Sequence, residues 1–292
     1  MKPPTRTAIV YDFDGTLAPG NMQEHSFLPE LDLTPEAFWR EVRATAQAED
    51  ADEILVYMRA MLLHARRCGV PITRARLERH GRVALFAGLD RWFERIDREG
   101  AEQGLAVEHY VVSSGLLEMI RGCAIFPRLT RVFASHFIYD ERGEAVWPGA
   151  AINYTTKTQF LFRINKGIES TWDNDRINRW QPMAERAVPF SRMIFVGDGA
   201  TDIPSMKTVR AQGGRSVAVF DPSTWGSAPA RELISRLISE DRACFVAPAD
   251  YTEGSQLDVT VRGILGRIAR DAGYRRQELA PAPRLAKMGV PT

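Results

Sequence analysis

The chain has 292 residues, 45% of them hydrophobic and 26% charged, which is typical of a soluble globular protein with one or two domains. Its formal net charge of +1 gives no electrostatic reason to expect a nucleic acid or an acidic membrane as partner. No apolar stretch approaches the roughly 20 residues that span a bilayer, and the first residues lack the apolar core of a signal peptide, so we expect a cytoplasmic protein.

The first predicted element is a buried strand that ends in the sequence Asp12-Phe13-Asp14-Gly15-Thr16. A short apolar run bounded by a turn signal is typical of such a strand. In open α/β sheets, ligands bind beyond the carboxyl ends of the strands. Two carboxylates at that place need a metal ion or another positive charge to compensate them. We interpret Asp12 and Asp14 as a nucleophile and metal site; an ordinary Asp-Gly turn is the alternative.

A helical block follows the first strand over residues 21–104, where no segment has a convincing strand pattern. Thr34 before a proline and an acid marks one helix start, and Thr73 marks another. Further helices are predicted over residues 52–67 and 89–100. A helical block between the first two strands of a sheet predicts an inserted cap subdomain.

The rest of the chain alternates predicted strands and helices, which favours a mostly parallel sheet covered on both faces. The strands are predicted at residues 108–113, 192–197, 215–220 and 243–247, and the helices at 116–122, 156–167, 228–240 and 257–272. Two extended runs between residues 132 and 147 indicate a β-hairpin rather than another βα unit. The prediction is an α/β fold with a Rossmann-like core at 1–20 and 105–280, a helical cap at 21–104 and a disordered tail at 281–292.

Two further polar groups lie where they could meet a phosphate. Ser113 ends the second strand, where a hydroxyl and nearby N–H groups suit an anion, although a helix N-cap serine fits equally. Lys157 opens the helix predicted at 156–167, although a lysine is unfavourable at the positive end of a helix dipole. Only five of the 38 basic residues are lysines, so its position favours contact with anions over the alternative, a tolerated surface charge.

A second acidic motif ends the strand predicted at 192–197. Asp198 follows Gly197, and Asp202 comes four residues later. Mg²⁺ prefers carboxylate oxygens, keeps several waters and commonly shares a phosphate with the protein. Asp198 is therefore a candidate direct ligand, and Asp202 binds through water or orients its neighbours. A helix cap is the alternative for Asp202.

These motifs, in this order, resemble the haloacid dehalogenase superfamily, and in particular its phosphoserine-phosphatase-like members. The resemblance runs from residue 7 to about residue 273. It includes the cap inserted directly after the first motif and the hairpin before Lys157. It also includes the segment Pro248-Ala249-Asp250-Tyr251, for which the sequence offers no physical explanation.

The resemblance implies a mechanism in which Asp12 attacks phosphorus and forms an aspartyl-phosphate, while Asp14 acts as general acid and then as general base. It implies that Mg²⁺ is held by Asp12, the main-chain carbonyl of Asp14 and Asp198, with Asp202 supporting these ligands. The groups implied to bind the substrate phosphate are those of Ser113, Lys157, Gly15 and Thr16.

The function that follows is a Mg²⁺-dependent phosphatase acting on a small phosphorylated metabolite. A phosphotransferase or mutase of the same fold and a scaffold protein with a relic site are the alternatives. Candidates for substrate selection by the cap are Glu24, His25, Arg59 and His64, since they are polar groups in or beside apolar helical stretches. For each, the alternative is a solvated face or, for the histidines, an imidazole whose hydrogen bonds are satisfied within the protein.

Overall fold

A seven-stranded sheet forms the centre of the protein over the residues described by the computed structural model, 3–199 and 201–278. The sheet order is β4-β3-β2-β1-β5-β6-β7, and all neighbours are parallel except β3 and β4. The strands are β1 (Thr5–Tyr11), β2 (Leu105–Leu116), β3 (Arg131–Tyr139), β4 (Ala145–Ala150), β5 (Met193–Gly197), β6 (Arg215–Phe220) and β7 (Phe245–Pro248).

The central strand β1 is buried on both faces because its side chains alternate between two apolar layers. Ile9 and Tyr11 point into the layer that also contains the apolar side chains of the helical insertion. Ala8 and Val10 point into the layer on the other face of the sheet. This burial explains why the sequence of the strand is a continuous apolar run rather than an alternating one.

Helices cover both faces of this sheet. Those of the insertion are α1 (Met22–His25), α2 (Phe27–Glu30), α3 (Pro35–Glu49), α4 (Glu53–Arg67), α5 (Arg74–His80) and α6 (Leu89–Glu102). The others are α7 (Leu117–Arg121), α8 (Lys157–Lys166), α9 (Asn174–Asn178), α10 (Ile203–Ala211), α11 (Ala228–Ser239) and α12 (Gln256–Glu278). None of the helices in the described ranges is long and apolar enough to cross a membrane.

The insertion begins its helices where the sequence predicts. Thr34, Asp52 and Thr73 each accept hydrogen bonds from backbone N–H groups of the first turn of α3, α4 and α5. The last helix of the insertion, α6, packs against strand β2 and against helix α12. The division of the chain at residue 104 stays a prediction, and the tail predicted at 281–292 lies outside the described residues.

One expectation about the sheet needs correction. The runs around residues 132–147 do form an antiparallel hairpin of β3 and β4, but β3 also pairs in parallel with β2 and so belongs to the central sheet. The missed pairing has a physical reason: an extended strand exposes hydrogen-bonding groups along both edges, and the local pattern showed only the hairpin edge.

Candidate active site

The strand register brings the predicted site residues to one edge of the sheet. Tyr11 pairs with Val111 on one side and with Val196 on the other. Asp12, Ser113 and Asp198 therefore emerge side by side, since each follows one of these paired residues by one or two positions. Beneath the helical insertion they line a cavity of about 280 Å³. The sequence-predicted residues that line it are Asp12, Asp14, Ser113, Lys157 and Asp198.

Lys157 is buried and bound between two carboxylates. Its Nζ lies 2.7 Å from Asp12 Oδ2 and 2.7 Å from Asp202 Oδ1. Burial alone would lower the pKa of Lys157, but these two carboxylates raise it above its ordinary value. The lysine is therefore charged, and it holds the Asp12 side chain in a fixed orientation at the end of β1.

Asp14 has a different environment from Asp12. Its Oδ1 accepts a hydrogen bond from the Met22 N–H at 3.0 Å, at the start of α1. Burial and the neighbouring Asp12 carboxylate raise the pKa of Asp14 to about 8. A carboxyl that keeps its proton at neutral pH can donate it, so the two aspartates of the first motif are suited to different roles.

The acidic cluster fits a hard divalent cation. Oxygens of Asp12, Asp198 and Asp202 lie within 4.8 Å of one another. Asp198 Oδ1 and Asp202 Oδ2 are buried without a hydrogen-bond partner among the described residues, which is costly unless a cation binds them. Burial and Asp12 raise the pKa of Asp198 to about 7, and they also raise the pKa of Asp202 well above its usual range.

The predicted metal ligands correspond only partly to this cluster. Asp12 and Asp198 are in it, and Asp202, predicted to support the ligands, contributes an oxygen of its own. Asp202 precedes α10 but makes no side-chain capping bond, so the helix-cap alternative does not describe it. The Asp14 side chain is outside the cluster. The resemblance implies that Asp14 binds the metal through its main-chain carbonyl, and that ligand stays a prediction.

Two glycines allow the carboxylates to approach the backbone. Gly15 has φ of +72°, and a Cβ added there would lie 2.5 Å from Asp198 Oδ2. A Cβ added to Gly197 would lie 2.1 Å from Asp202 Oδ2. Any other residue at either position would displace a carboxylate of the site.

The residues predicted to bind phosphate differ in their surroundings. Ser113 Oγ accepts a hydrogen bond from the Gly115 N–H at 3.0 Å, which leaves the hydroxyl proton available to a ligand. Gly15 N–H donates to Ala18 O at 2.8 Å, and Thr16 N–H donates to Phe13 O at 3.2 Å, so both serve the turn itself. Neither Gly15 nor Thr16 lines the cavity, and their contact with phosphate stays a prediction.

The insertion supplies the wall opposite these groups, with residues that the sequence did not single out as ligands. They are Asn21, Gln23, Trp39, Arg43, Glu53, Ile54 and Tyr57. Within the described chain, neither Arg43 nor Glu53 has an ion-pair partner. Trp39 and Arg43 are four residues apart on α3 and so share one face, but which face meets the cavity depends on packing with α4.

The cap candidates named from the sequence do not line the cavity. Glu24 accepts hydrogen bonds from Trp39 Nε1 and Asn21 Nδ2, both at 2.6 Å. The imidazole of His25 bonds to Pro19 O, and that of His64 pairs with Glu41. Arg59 is exposed. Glu24 thus contacts two residues that line the cavity without lining it itself.

Comparison with known proteins decides the family. The model of the haloacid dehalogenase-like hydrolases matches residues 9–207, more than half of the chain and the whole set of site residues. The chain belongs to this family. Among curated relatives, an uncharacterized protein of Borreliella burgdorferi is 25% identical over 278 residues, which cover 86% of this chain and 93% of the relative.

Solved structures of haloacid dehalogenase-like hydrolases share this fold. A substrate-bound phosphoserine phosphatase is similar with a TM-score of 0.52 and 16% identity, covering 83% of this chain and 92% of that one. A family hydrolase from Salmonella enterica serovar Typhi has a TM-score of 0.53 and 16% identity, covering 90% of this chain and 72% of its own. The family model confirms the predicted superfamily, and these structures confirm the α/β fold class and a likeness in fold to a phosphoserine phosphatase.

Proposed function

We propose that this haloacid dehalogenase-like hydrolase is a Mg²⁺-dependent phosphatase that hydrolyses a small phosphomonoester in the cytoplasm. The observation that carries the proposal is that two neighbouring carboxyl groups in one cavity have different electrostatic surroundings. Lys157 pairs with Asp12 at 2.7 Å, whereas burial and Asp12 keep the pKa of Asp14 at about 8. A charged nucleophile beside a protonated acid is the arrangement that cleavage of a phosphoester needs.

In the first step, a carboxylate oxygen of Asp12 attacks phosphorus and the bond from phosphorus to the ester oxygen breaks. Asp14 donates its proton to that oxygen, so the product leaves as an alcohol and the phosphoryl group remains on Asp12. Ser113 donates a hydrogen bond to a phosphoryl oxygen, and Lys157 offsets the negative charge that builds up.

In the second step, water attacks the phosphorus of the aspartyl-phosphate. Asp14, now ionised, accepts a proton from that water, and the bond between phosphorus and the Asp12 oxygen breaks. Inorganic phosphate leaves, the Asp12 carboxylate is restored and Asp14 is again protonated. The protein thus returns to its starting state without any other reactant.

Asp12, Asp198 and the main-chain carbonyl of Asp14 would hold the Mg²⁺, with Asp202 beside them. When bound, the ion supplies positive charge that neutralises the phosphoryl oxygens and the crowded carboxylates. The unpartnered oxygens of Asp198 and Asp202 support this assignment.

The cap wall suggests the class of leaving group. Arg43 and Glu53 bring opposite charges to the cavity, and Trp39 and Tyr57 add aromatic surface. A leaving group that carries an anionic and a cationic group would match both charges. Phosphoserine, the compound named for the similar phosphatases, has this chemistry and is the first substrate to test.

The decisive experiment is a screen of phosphorylated metabolites for phosphate release with Mg²⁺, alongside an aryl phosphate. We expect Asp12→Asn to lose at least about a thousandfold in rate, because the nucleophile is removed. The exposed hairpin variant Asp140→Asn is the matched control and should keep full activity. Wild-type rates in Asp12→Asn would refute the nucleophile assignment.

The same experiment separates hydrolysis from phosphoryl transfer. Adding an acceptor alcohol should leave phosphate release unchanged if water is the acceptor in the second step. A fall in free phosphate, with a new phosphoester formed in equal amount, would establish a phosphotransferase instead. An aryl phosphate that is stable with Mg²⁺, together with no metabolite cleaved, would favour a relic site.

A further inference from the structure

Tyr251 lies in the segment Pro248-Ala249-Asp250-Tyr251, beyond the four catalytic motifs. Its side chain is fully buried. The phenol O–H donates a hydrogen bond to the main-chain carbonyl of Thr16 at 2.8 Å. Thr16 is two residues after Asp14, so this bond ties the turn that carries the predicted acid to a residue 235 positions away.

Tyr251 also holds the segment that leads into α6, the last helix of the insertion. Its N–H donates to Ala87 O at 2.8 Å. One residue earlier, the Phe86 N–H donates to Leu17 O at 3.0 Å. Tyr251 thus connects the turn at Thr16, ahead of the insertion, and the segment at Ala87, ahead of α6, and these two segments are also bonded to each other.

The tyrosine itself is fixed by a buried ion pair. Arg95 Nη2 donates to Tyr251 O at 2.7 Å, and Arg95 Nε donates to Asp258 Oδ1 at 3.0 Å. The edge of the Trp92 ring meets the Tyr251 ring, with centroids 5.0 Å apart. Tyr251 is thus held at its main-chain N–H, at its main-chain carbonyl and at its ring, so it can serve as a rigid reference point for the turn.

We propose that Tyr251 is a positioning residue for Asp14: its hydroxyl fixes the turn at Thr16 so that the Asp14 carboxyl faces the ester oxygen. The inference rests on the proposed function. Within the turn, Gly15 N–H donates to Ala18 O, which closes the loop but does not anchor it to the sheet. The Tyr251 hydroxyl anchors the turn to the segment that follows β7, and a small displacement of an acid is enough to slow proton transfer.

Tyr251→Phe removes this hydroxyl and keeps the ring. An aryl phosphate has a leaving group that departs without a proton, whereas an alkyl phosphate depends on the acid. We expect kcat/KM for the best alkyl phosphomonoester to fall about tenfold more than kcat/KM for 4-nitrophenyl phosphate. The ratio of the two rates does not depend on how much of the enzyme is folded, so a purely structural role would not change it.

Tyr110→Phe is the matched control. It also removes the hydroxyl of a largely buried tyrosine, but this hydroxyl donates to Glu108 on the same strand and not to the turn. Its rate ratio should equal that of the wild type. An unchanged ratio in Tyr251→Phe, or an equal change in both variants, would overturn the proposal.

Asp14→Asn tests the underlying function separately. A large selective loss on the alkyl ester in Asp14→Asn, without one in Tyr251→Phe, would refute only the role of Tyr251. No selective loss in Asp14→Asn would refute the acid assignment and, with it, this inference. If Tyr251→Phe does not fold, Arg95→Lys, which keeps the charge beside Asp258, should shift the ratio in the same direction, and an unchanged ratio there counts against the proposal.

Discussion

At the scale of single residues, Gly15 determines how closely the first motif approaches Asp198. Gly15→Ala adds a Cβ that would meet Asp198 Oδ2 at 2.5 Å, in a left-handed conformation with φ of +72°. We expect the unfolding free energy to fall by about 1–2 kcal/mol from the conformation alone. The contact with Asp198 should in addition weaken Mg²⁺ binding by at least about tenfold. Urea unfolding and Mg²⁺ titration by calorimetry measure the two effects.

Gly143→Ala separates these effects. Gly143 has φ of +76° in the β3–β4 turn, and a Cβ there would meet nothing within 4 Å. The Gly143→Ala variant should lose about as much unfolding free energy as the conformation alone costs in Gly15→Ala. It should bind Mg²⁺ with wild-type affinity. Normal Mg²⁺ affinity in Gly15→Ala would contradict the crowding argument.

The sequence could identify a site residue only where a local pattern of residue types marks its position. Asp12, Ser113 and Asp198 each end an apolar run, so the convergence of parallel strands was enough to bring them together. Tyr251 could not be assigned this way, because its partner is a backbone carbonyl far away in sequence. Every residue has a backbone carbonyl, so no sequence motif indicates this bond.

At the scale of elements, the cap helix α4 is bonded to the loop before α8, which begins with Lys157. Asn153 Oδ1 accepts from Thr156 N–H at 2.8 Å, and Asn153 Nδ2 donates to Asp52 Oδ2 at 2.7 Å. Asp52 Oδ1 in turn caps α4. One amide therefore joins the start of a cap helix to the start of the helix that carries the charged lysine.

Exchanging the two residues tests this connection. Asn153→Asp keeps the acceptor for Thr156 but sets two carboxylates against each other, so we expect a loss of about 1–2 kcal/mol in unfolding free energy. Asp52→Asn in that background restores a donor and an acceptor between the helices. Urea unfolding of both single variants and the double variant should give a favourable coupling of about 1 kcal/mol. Strictly additive losses would show that the bond does not stabilise the protein.

The elements themselves were largely predictable, and their contacts were not. The starts of α3, α4 and α5 follow from Thr34, Asp52 and Thr73, since a capping side chain acts within one turn. The parallel pairing of β3 with β2 was missed because it depends on a neighbour in space. For the same reason, the sequence could not show that Arg43 rather than His64 faces the cavity.

At the scale of the whole molecule, we expect the acidic cluster to couple metal binding to stability. Asp12, Asp198 and Asp202 repel one another in the metal-free protein, and Lys157 offsets only part of this charge. Mg²⁺ at about 100 times its Kd should stabilise the fold by about 2.7 kcal/mol. Thermal unfolding after EDTA treatment and after Mg²⁺ addition measures the difference without any substrate.

Asp198→Asn should weaken this dependence of stability on Mg²⁺. The substitution removes one repelling charge, so the metal-free variant is expected to be at least as stable as the metal-free wild type. Its Tm should rise by less than a third as much with Mg²⁺, because a ligand is lost. Asp140→Asn should respond as the wild type does. A full Mg²⁺ response in Asp198→Asn would exclude Asp198 as a ligand.

The bond between Tyr251 and Thr16 also has a consequence for biosynthesis. The ribosome releases Asp12 and Asp14 well before Tyr251, which lies more than 230 residues further along the chain. Parallel strands β1, β2 and β5 can pair before that moment, but the turn that bears Asp14 lacks its bond to Tyr251 until β7 and the residues after it have folded. If Tyr251 positions Asp14 as proposed, a nascent or prematurely terminated chain that lacks Tyr251 should hold Asp14 less firmly than the folded protein does, even where the other site residues are already in place.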